Sequence, residues 1–171
     1  LAMYRPLASI PFCRSLDKAS LPARLAEIVV RQVDDPAAEA AGRDRIETLT
    51  AVDDQVSRAV RDQYEENPYP RWRATHLPTP RPLPAVMSEL YPRLAGRGIA
   101  WPPAPRILVA GCGTGKHLVQ TARVFAGAQV TAIDLSRASL AYAMRQADRL
   151  GIDNIRFAQA DITRLGADAG P

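Results

Sequence analysis

The sequence predicts an α/β fold with a parallel sheet, on three observations. Short apolar runs at residues 106–110, 129–133 and 155–158 have the length and composition of strands. The stretches between them have helical periodicity, and the links between elements are short. The resulting order, strand–helix–strand–helix–strand, implies parallel strands joined by right-handed crossovers.

The N-terminal part of the chain is predicted to be helical. Over residues 21–33 the apolar side chains fall on one helical face, and the helix is expected to stop near Asp35–Pro36. Residues 36–50 are predicted to form a loop with some helical tendency. A second amphipathic helix is expected over residues 52–64, with two aspartates in its first turn, where the helix dipole favours negative charge.

Prolines dominate the stretch that follows. Ten of the fifteen prolines lie between Pro68 and Pro105, which excludes regular structure from most of it, apart from a short helix around residues 84–94. We therefore divide the chain into a helical N-terminal extension with a proline-rich linker, residues 1–100, and a second domain, residues 101–171.

Local signals support each element of the second domain. Residues 106–110 are bounded by proline and glycine and are predicted to form a buried strand. A helix is expected over Thr114–Phe125. Ser136 can cap the next helix at its start, and Gly151 can end it.

Composition excludes several classes of protein. The net charge is +4, but the basic residues are scattered, so nucleic-acid binding is not expected. Two distant cysteines, Cys13 and Cys112, form neither a metal signature nor a disulfide framework, which favours a reducing, cytoplasmic location. No apolar stretch approaches the roughly 20 residues of a membrane span, and no signal peptide is visible.

The stretch LVAGCGTGKH, residues 108–117, contains Gly111, Gly113 and Gly115 between the first strand and its helix. Bare backbone at such a turn lets a nucleotide-like ligand approach, and free N–H groups at the helix start favour an anion. Asp134 ends the second strand and can accept hydrogen bonds from both hydroxyls of a ribose, whereas Asp161 ends the third and could take an adenine amino group. Alternatively, Asp134 is a carboxylate that caps a helix, and Asp161 is a turn residue.

The spacing of the glycines excludes two common nucleotide motifs. The dinucleotide fingerprint G-x-G-x-x-G needs a glycine where Lys116 stands, which disfavours an NAD-linked oxidoreductase. The P-loop needs Ser or Thr after its lysine, and His117 follows instead. The pattern that is left is G-x-G-x-G.

With the downstream segments VTAIDLS and IRFAQADI, this pattern resembles the class I methyltransferases that use S-adenosylmethionine, over residues 106–163. QYEENPYPRW ahead of the loop resembles a bacterial branch of that class often joined to tetratricopeptide repeats, which extends the likeness to about residues 50–163. Any such repeat region would lie upstream of Leu1.

The resemblance implies a Rossmann-like methyltransferase sheet and S-adenosylmethionine as the cofactor, with no metal. Many members carry an acidic residue two positions before the first glycine, and here that residue is Val109. The resemblance implies that the methionine part of the cofactor contacts Gly111, Gly113 and Gly115. It implies that the ribose contacts Asp134 with Leu135 at the end of the second strand, and that the adenine contacts Asp161 with Ile162 at the end of the third.

The segment YEENPYPRW has two interpretations. Tyr64, Tyr69 and Trp72 could form a lid over the cofactor, with Glu65 or Asn67 near the methyl acceptor. Alternatively, the segment is a helix end and a proline-fixed linker whose aromatic side chains pack on the domain.

Three residues of the loop are given minor roles. Cys112 is expected to be a small packed side chain rather than a nucleophile. Lys116 and His117 are expected at the surface in the first helical turn, where either could approach the carboxylate of the cofactor.

Class I sheets continue beyond the third strand, and acceptor contacts usually follow the later strands. We therefore expect an incomplete sheet, a first strand left at a sheet edge, and catalytic residues beyond Pro171. The start at Leu1 and the end after a strand suggest a fragment, which by itself should bind cofactor weakly or not at all. The predicted function is methyl transfer to an unidentified acceptor, with this chain supplying the cofactor-binding half. The alternative is a non-catalytic nucleotide-binding or interaction module.

Overall fold

A computed structural model describes residues 5–94 and 96–166. The chain forms two compact units, residues 1–45 and 46–171. The second unit begins well before the boundary predicted at residues 100 and 101, because Ile46 and Trp72 are buried in its hydrophobic clusters.

The first unit is helical, and its helix does not stop at Pro36. In a π-helical turn over Val30–Asp34, the amide of Asp35 donates to the carbonyl of Val30, five residues earlier. Pro36 then falls in the first turn of the next helix, where its missing N–H is not needed. The predicted stop, and the loop predicted from residue 36, are therefore wrong. The α-helices of this unit are α1 (Pro11–Arg14), α2 (Ala23–Val29) and α3 (Asp35–Arg43).

The second unit contains the predicted parallel sheet, which confirms the α/β fold class. Its strands lie in the order β1–β4–β3–β2, so consecutive strands β2, β3 and β4 are neighbours. Such an order places both crossover helices on one face of the sheet when the crossovers are right-handed. The strands are β1 (Glu47–Thr48), β2 (Arg106–Ala110), β3 (Gln129–Asp134) and β4 (Ile155–Gln159).

The first predicted strand, β2, lies at an edge of the described sheet as expected, but two other features of the edge strands differ from the sequence predictions. β1 lies in the predicted loop and pairs with the end of β4, where both oxygens of Glu47 accept from the guanidinium of Arg156 at 2.5 and 2.8 Å. β2 was predicted to be buried, yet none of its residues is, and Leu108 is 37% exposed. The reason is its place at the end of the described sheet, with a strand on one side only.

Two helices of the second unit, α6 (Lys116–Val124) and α7 (Arg137–Arg149), pack against the sheet in one hydrophobic cluster. Leu118 and Val119 of α6 and Tyr142 and Ala143 of α7 are buried in one cluster with Val130 and other side chains of β3. The Ser136 hydroxyl accepts from the amide of Ser139 at 3.0 Å, which confirms the predicted cap. The helices are α4 (Gln55–Glu66), α5 (Leu83–Leu90), α6 (Lys116–Val124) and α7 (Arg137–Arg149).

The described residues contain neither a helix that could span a membrane nor a cluster of metal-binding side chains. None of their helices is both long and apolar enough to cross a membrane. Nor do residues 5–94 and 96–166 contain a group of three or more His, Cys, Asp or Glu side chains that could hold a metal ion.

Candidate functional site

A cavity of about 480 Å³ lies where β2 and β3 end. We call it the glycine-loop cavity. Residues 111–117 form one wall, residues 133–135 a second, and α4 with the segment after it a third. In parallel sheets, ligands bind at this carboxyl edge, and the volume is within the range of small-molecule sites.

The three glycines of the loop have left-handed backbones but serve different purposes. Their φ angles are 66° at Gly111, 53° at Gly113 and 81° at Gly115. A Cβ at either of the first two would meet nothing within 4 Å, so bare backbone faces open space. A Cβ at Gly115 would lie 2.6 Å from the Cβ of Ala143, so this glycine lets the loop pack against α7.

Asp134 connects the end of β3 to the glycine loop. Its Oδ2 accepts from the amide of Gly113 at 2.8 Å, and its Oδ1 accepts from the amide of Ser136 at 2.9 Å. An ionised carboxylate has about four acceptor positions, so the two oxygens can still accept from a ligand. The carboxylate thus orders the loop and lines the cavity at the same time.

Asp161 does not line the cavity. It is 1% exposed, and its Oδ1 accepts from the amide and the hydroxyl of Thr163 at 2.9 and 2.7 Å, capping a single 3-10 turn. The nearby hydroxyl of Ser57, followed by these two groups, holds the pKa of Asp161 below its ordinary value. Its neighbour Ile162 does line the cavity and is 62% exposed. Leu135, which follows β3, also lines the cavity.

Some residues of the segment YEENPYPRW fit the lid interpretation, and others fit the packing interpretation. Tyr64 and Tyr69 line the cavity, and Tyr69 is 76% exposed. Glu65, by contrast, accepts from the amide of Ala138 at 3.2 Å, where a carboxylate favours the start of α7. The aromatic wall is therefore where the lid interpretation requires it, whereas the Glu65 carboxylate bonds a helix end.

Trp72 follows the packing interpretation. It is 6% exposed, and its ring contacts Tyr142 edge to face at a centroid distance of 6.3 Å. Its Nε1 donates to the carbonyl of Thr114, between the second and third glycines, at 2.7 Å. The hydroxyl of Thr114 in turn donates to the carbonyl of Pro70 at 2.7 Å. The segment is thus bonded to the glycine loop itself.

The remaining loop side chains also line the cavity. Burial, followed by the negative charge of Asp134, raises the pKa of the Cys112 thiol, which disfavours the thiolate that a nucleophile needs. Lys116 and His117 lie in the first turn of α6, are exposed, and face the cavity. Both are therefore within the site where a ligand carboxylate would meet the start of that helix.

Comparison with known proteins identifies one domain of the chain. Residues 107–171, from β2 onwards, match the family model described as a methyltransferase domain. This part of the chain is therefore a methyltransferase domain. The resemblance inferred from the glycine loop and the two following segments is thereby confirmed.

Curated relatives of the methyltransferase domain are longer proteins. A protein of Synechococcus, described as uncharacterized, is 34% identical over 134 residues, which are 71% of this chain and 29% of that protein. The release factor glutamine methyltransferase of Chlorobaculum tepidum is 39% identical over 84 residues, 48% of this chain and 29% of that enzyme. The chain thus spans less than a third of the relatives it matches.

A solved structure similar to the methyltransferase domain is the geranyl diphosphate C-methyltransferase from Streptomyces coelicolor, in complex with S-adenosyl-L-homocysteine. It is 18% identical, with a TM-score of 0.46, and the match covers 68% of this chain and 51% of that one.

Sequence reasoning located most of the methyltransferase domain's cavity but missed some of its walls. The three glycines, Asp134, Leu135, Ile162, Tyr64 and Tyr69 all line it, and the Asp161 side chain does not. Val60, one helical turn before Tyr64, was missed as a wall residue although the two share a face of α4. The bonds of Thr114 were also missed, since a hydroxyl between two glycines carries no pattern that names its partner.

Proposed function

We propose that this chain is part of an enzyme that transfers a methyl group from S-adenosylmethionine to an acceptor, and that the glycine-loop cavity holds the cofactor. The observation that carries the proposal is the meeting of open backbone at Gly111 and Gly113 with the Asp134 carboxylate at one cavity. Residues 101–171 would supply the cofactor-binding half of the catalytic domain.

The cofactor's functional groups match the walls of the cavity. Its carboxylate suits the first turn of α6, where Lys116 and His117 add donors to free N–H groups. Its ribose hydroxyls suit the acceptor positions that Asp134 keeps free. Its adenine suits the apolar surface of Leu135 and Ile162. No side chain would have to leave the space over the two bare glycines.

We propose an indirect role for Asp161. The carboxylate is buried and does not line the cavity, and its Oδ1 already accepts from the amide and the hydroxyl of Thr163. By capping the turn that begins at Ile162, it would instead position that residue's side chain against the ring.

The bound cofactor would supply an electrophilic methyl group on its sulfonium. The residues of this chain would then bind the donor, orient it and exclude water with the aromatic wall of Tyr64 and Tyr69. A proton acceptor is needed only where the acceptor substrate must lose a proton.

The proposal is tested by titrating the 15N-labelled chain with S-adenosylhomocysteine and following amide shifts by NMR, which detects weak binding. We expect saturable shifts at the three loop glycines. Asp134→Ala should abolish them, whereas the matched variant Asp153→Ala, an exposed acid in the loop before β4, should leave them unchanged. Absence of shifts at millimolar ligand, or equal shifts in both variants, would refute the proposal.

A further inference from the structure

Thr114 forms two hydrogen bonds to one short segment, in opposite directions. Its hydroxyl donates to the carbonyl of Pro70, and its own carbonyl accepts from the indole of Trp72, each at 2.7 Å. Thr114 is 3% exposed, and its bond with the Trp72 indole is buried, whereas its bond with the Pro70 carbonyl is partly buried. The middle of the glycine loop is therefore joined to the segment on both sides of Arg71.

The segment is also fixed at its other end. The carbonyl of Trp72 accepts from the hydroxyl of Tyr142 and from Nε2 of Gln146, the latter at 3.0 Å. Gln146 Nε2 also donates to the Tyr142 hydroxyl at 2.8 Å, and both side chains are buried on α7. The network runs from the loop through the segment into a helix of the hydrophobic core, so its anchor is rigid.

The consequence falls on Tyr69, which directly precedes Pro70. Its side chain lines the glycine-loop cavity but is 76% exposed, so little of its position comes from its own packing. The backbone that carries it is held by the Thr114 hydroxyl. A lid that opens and closes would have to break that bond in each cycle, leaving the hydroxyl of the buried Thr114 without its partner.

We propose that Thr114 is a positioning residue whose hydroxyl makes Tyr69 and Pro70 a fixed wall of the cofactor site. The role in cofactor binding rests on the proposed function, but the role in holding the wall does not. The two are therefore measured separately.

The first measurement needs no ligand. Hydrogen exchange of the backbone amides over residues 69–75 is compared in Thr114→Val, which removes the hydroxyl and keeps the shape, and in Thr114→Ser, which keeps the hydroxyl. We expect exchange about tenfold faster in the valine variant and unchanged in the serine variant. Thr121→Val is the matched control, because this buried hydroxyl lies near His117 and makes no bond to the segment.

The second measurement is the affinity for S-adenosylhomocysteine, by the same NMR titration. Thr114→Val should bind about tenfold more weakly, while Thr114→Ser and Thr121→Val stay within about twofold of the parent. If the parent does not bind, the proposed function fails, and the exchange data still decide on the wall.

Unchanged exchange in folded Thr114→Val, or equal acceleration in the serine variant, would overturn the inference. So would full affinity in a valine variant with a loosened wall. Should Thr114→Val not fold, Trp72→Phe replaces it, because phenylalanine lacks the N–H that donates to the Thr114 carbonyl and should accelerate the same amides.

Discussion

Replacing Gly115 by alanine is expected to destabilise the chain far more than the same change at Gly113. The two glycines belong to one motif, and their φ angles are 81° and 53°. What differs is the space around them. A Cβ at Gly115 would lie 2.6 Å from the Cβ and 3.3 Å from the Cα of Ala143, whereas a Cβ at Gly113 would meet nothing within 4 Å.

The magnitudes follow from these contacts. A left-handed backbone costs an L-residue about 1 kcal/mol, and this cost applies at both positions. Carbon atoms in contact are normally about 3.5–4.0 Å apart, so alanine at position 115 also pushes the loop away from α7, which costs about 2 kcal/mol more. We expect losses of about 3 kcal/mol for Gly115→Ala and about 1 kcal/mol for Gly113→Ala, or roughly 9 °C and 3 °C in Tm for a chain of this size.

Urea and thermal unfolding followed by circular dichroism measure both losses. A double variant, Gly115→Ala with Ala143→Gly, tests the cause. The glycine in α7 costs about 1 kcal/mol by itself, yet it removes the methyl group that the new Cβ meets, so the double variant should lose less than the sum of the single ones. Equal losses at positions 113 and 115, or strict additivity, would refute the reasoning.

Three further predictions concern the acidic and thiol groups of the domain. Asp134→Asn should lower the free energy of unfolding by about 1–3 kcal/mol, because one amide oxygen cannot replace two carboxylate oxygens that accept from backbone amides; full stability in urea would contradict this. In a Cys13→Ser background, iodoacetamide at about pH 8 should label Cys112 at least about tenfold more slowly in the folded chain than in urea, because its raised pKa leaves little thiolate; equal rates would exclude this burial effect. Asp161 has a lowered pKa, so it stabilises the fold above its ordinary value of 3.8 and loses that contribution as the pH falls below it. Unfolding midpoints of the parent and Asp161→Asn should therefore converge in acid, and a constant difference between them would show that ionisation is not the cause.

Local patterns in the sequence were sufficient for three of the four strands of the described sheet and for both crossover helices. The strands predicted at residues 106–110, 129–133 and 155–158 match β2, β3 and β4 because each is a short apolar run between turn residues. Ser136 marks the start of α7 because its hydroxyl needs only an amide three residues away. Such signals act over a few residues, so they are readable without the fold.

Elements that depend on distant partners were missed. β1 has two residues, too few for any periodicity, and it is a strand only because the end of β4 offers hydrogen-bond partners. The chain stays helical through Pro36 because a π-helical turn precedes it. The helix-breaking tendency of proline does not predict such a turn. The predicted burial of β2 failed because exposure depends on the strand's neighbours in the sheet.

By itself, the sequence determined the fold class, the likeness to methyltransferase domains and the loop that marks the candidate site, because glycine spacing and hydrophobic periodicity are local properties. Only the tertiary structure decided which structural role each residue of the site has. It shows that Gly115 serves packing, that the Asp161 carboxylate caps a turn and does not line the cavity, and that Trp72 joins the glycine loop to α7. These outcomes depend on which atoms lie within a few ångströms after folding, and residues far apart in the chain supply those atoms.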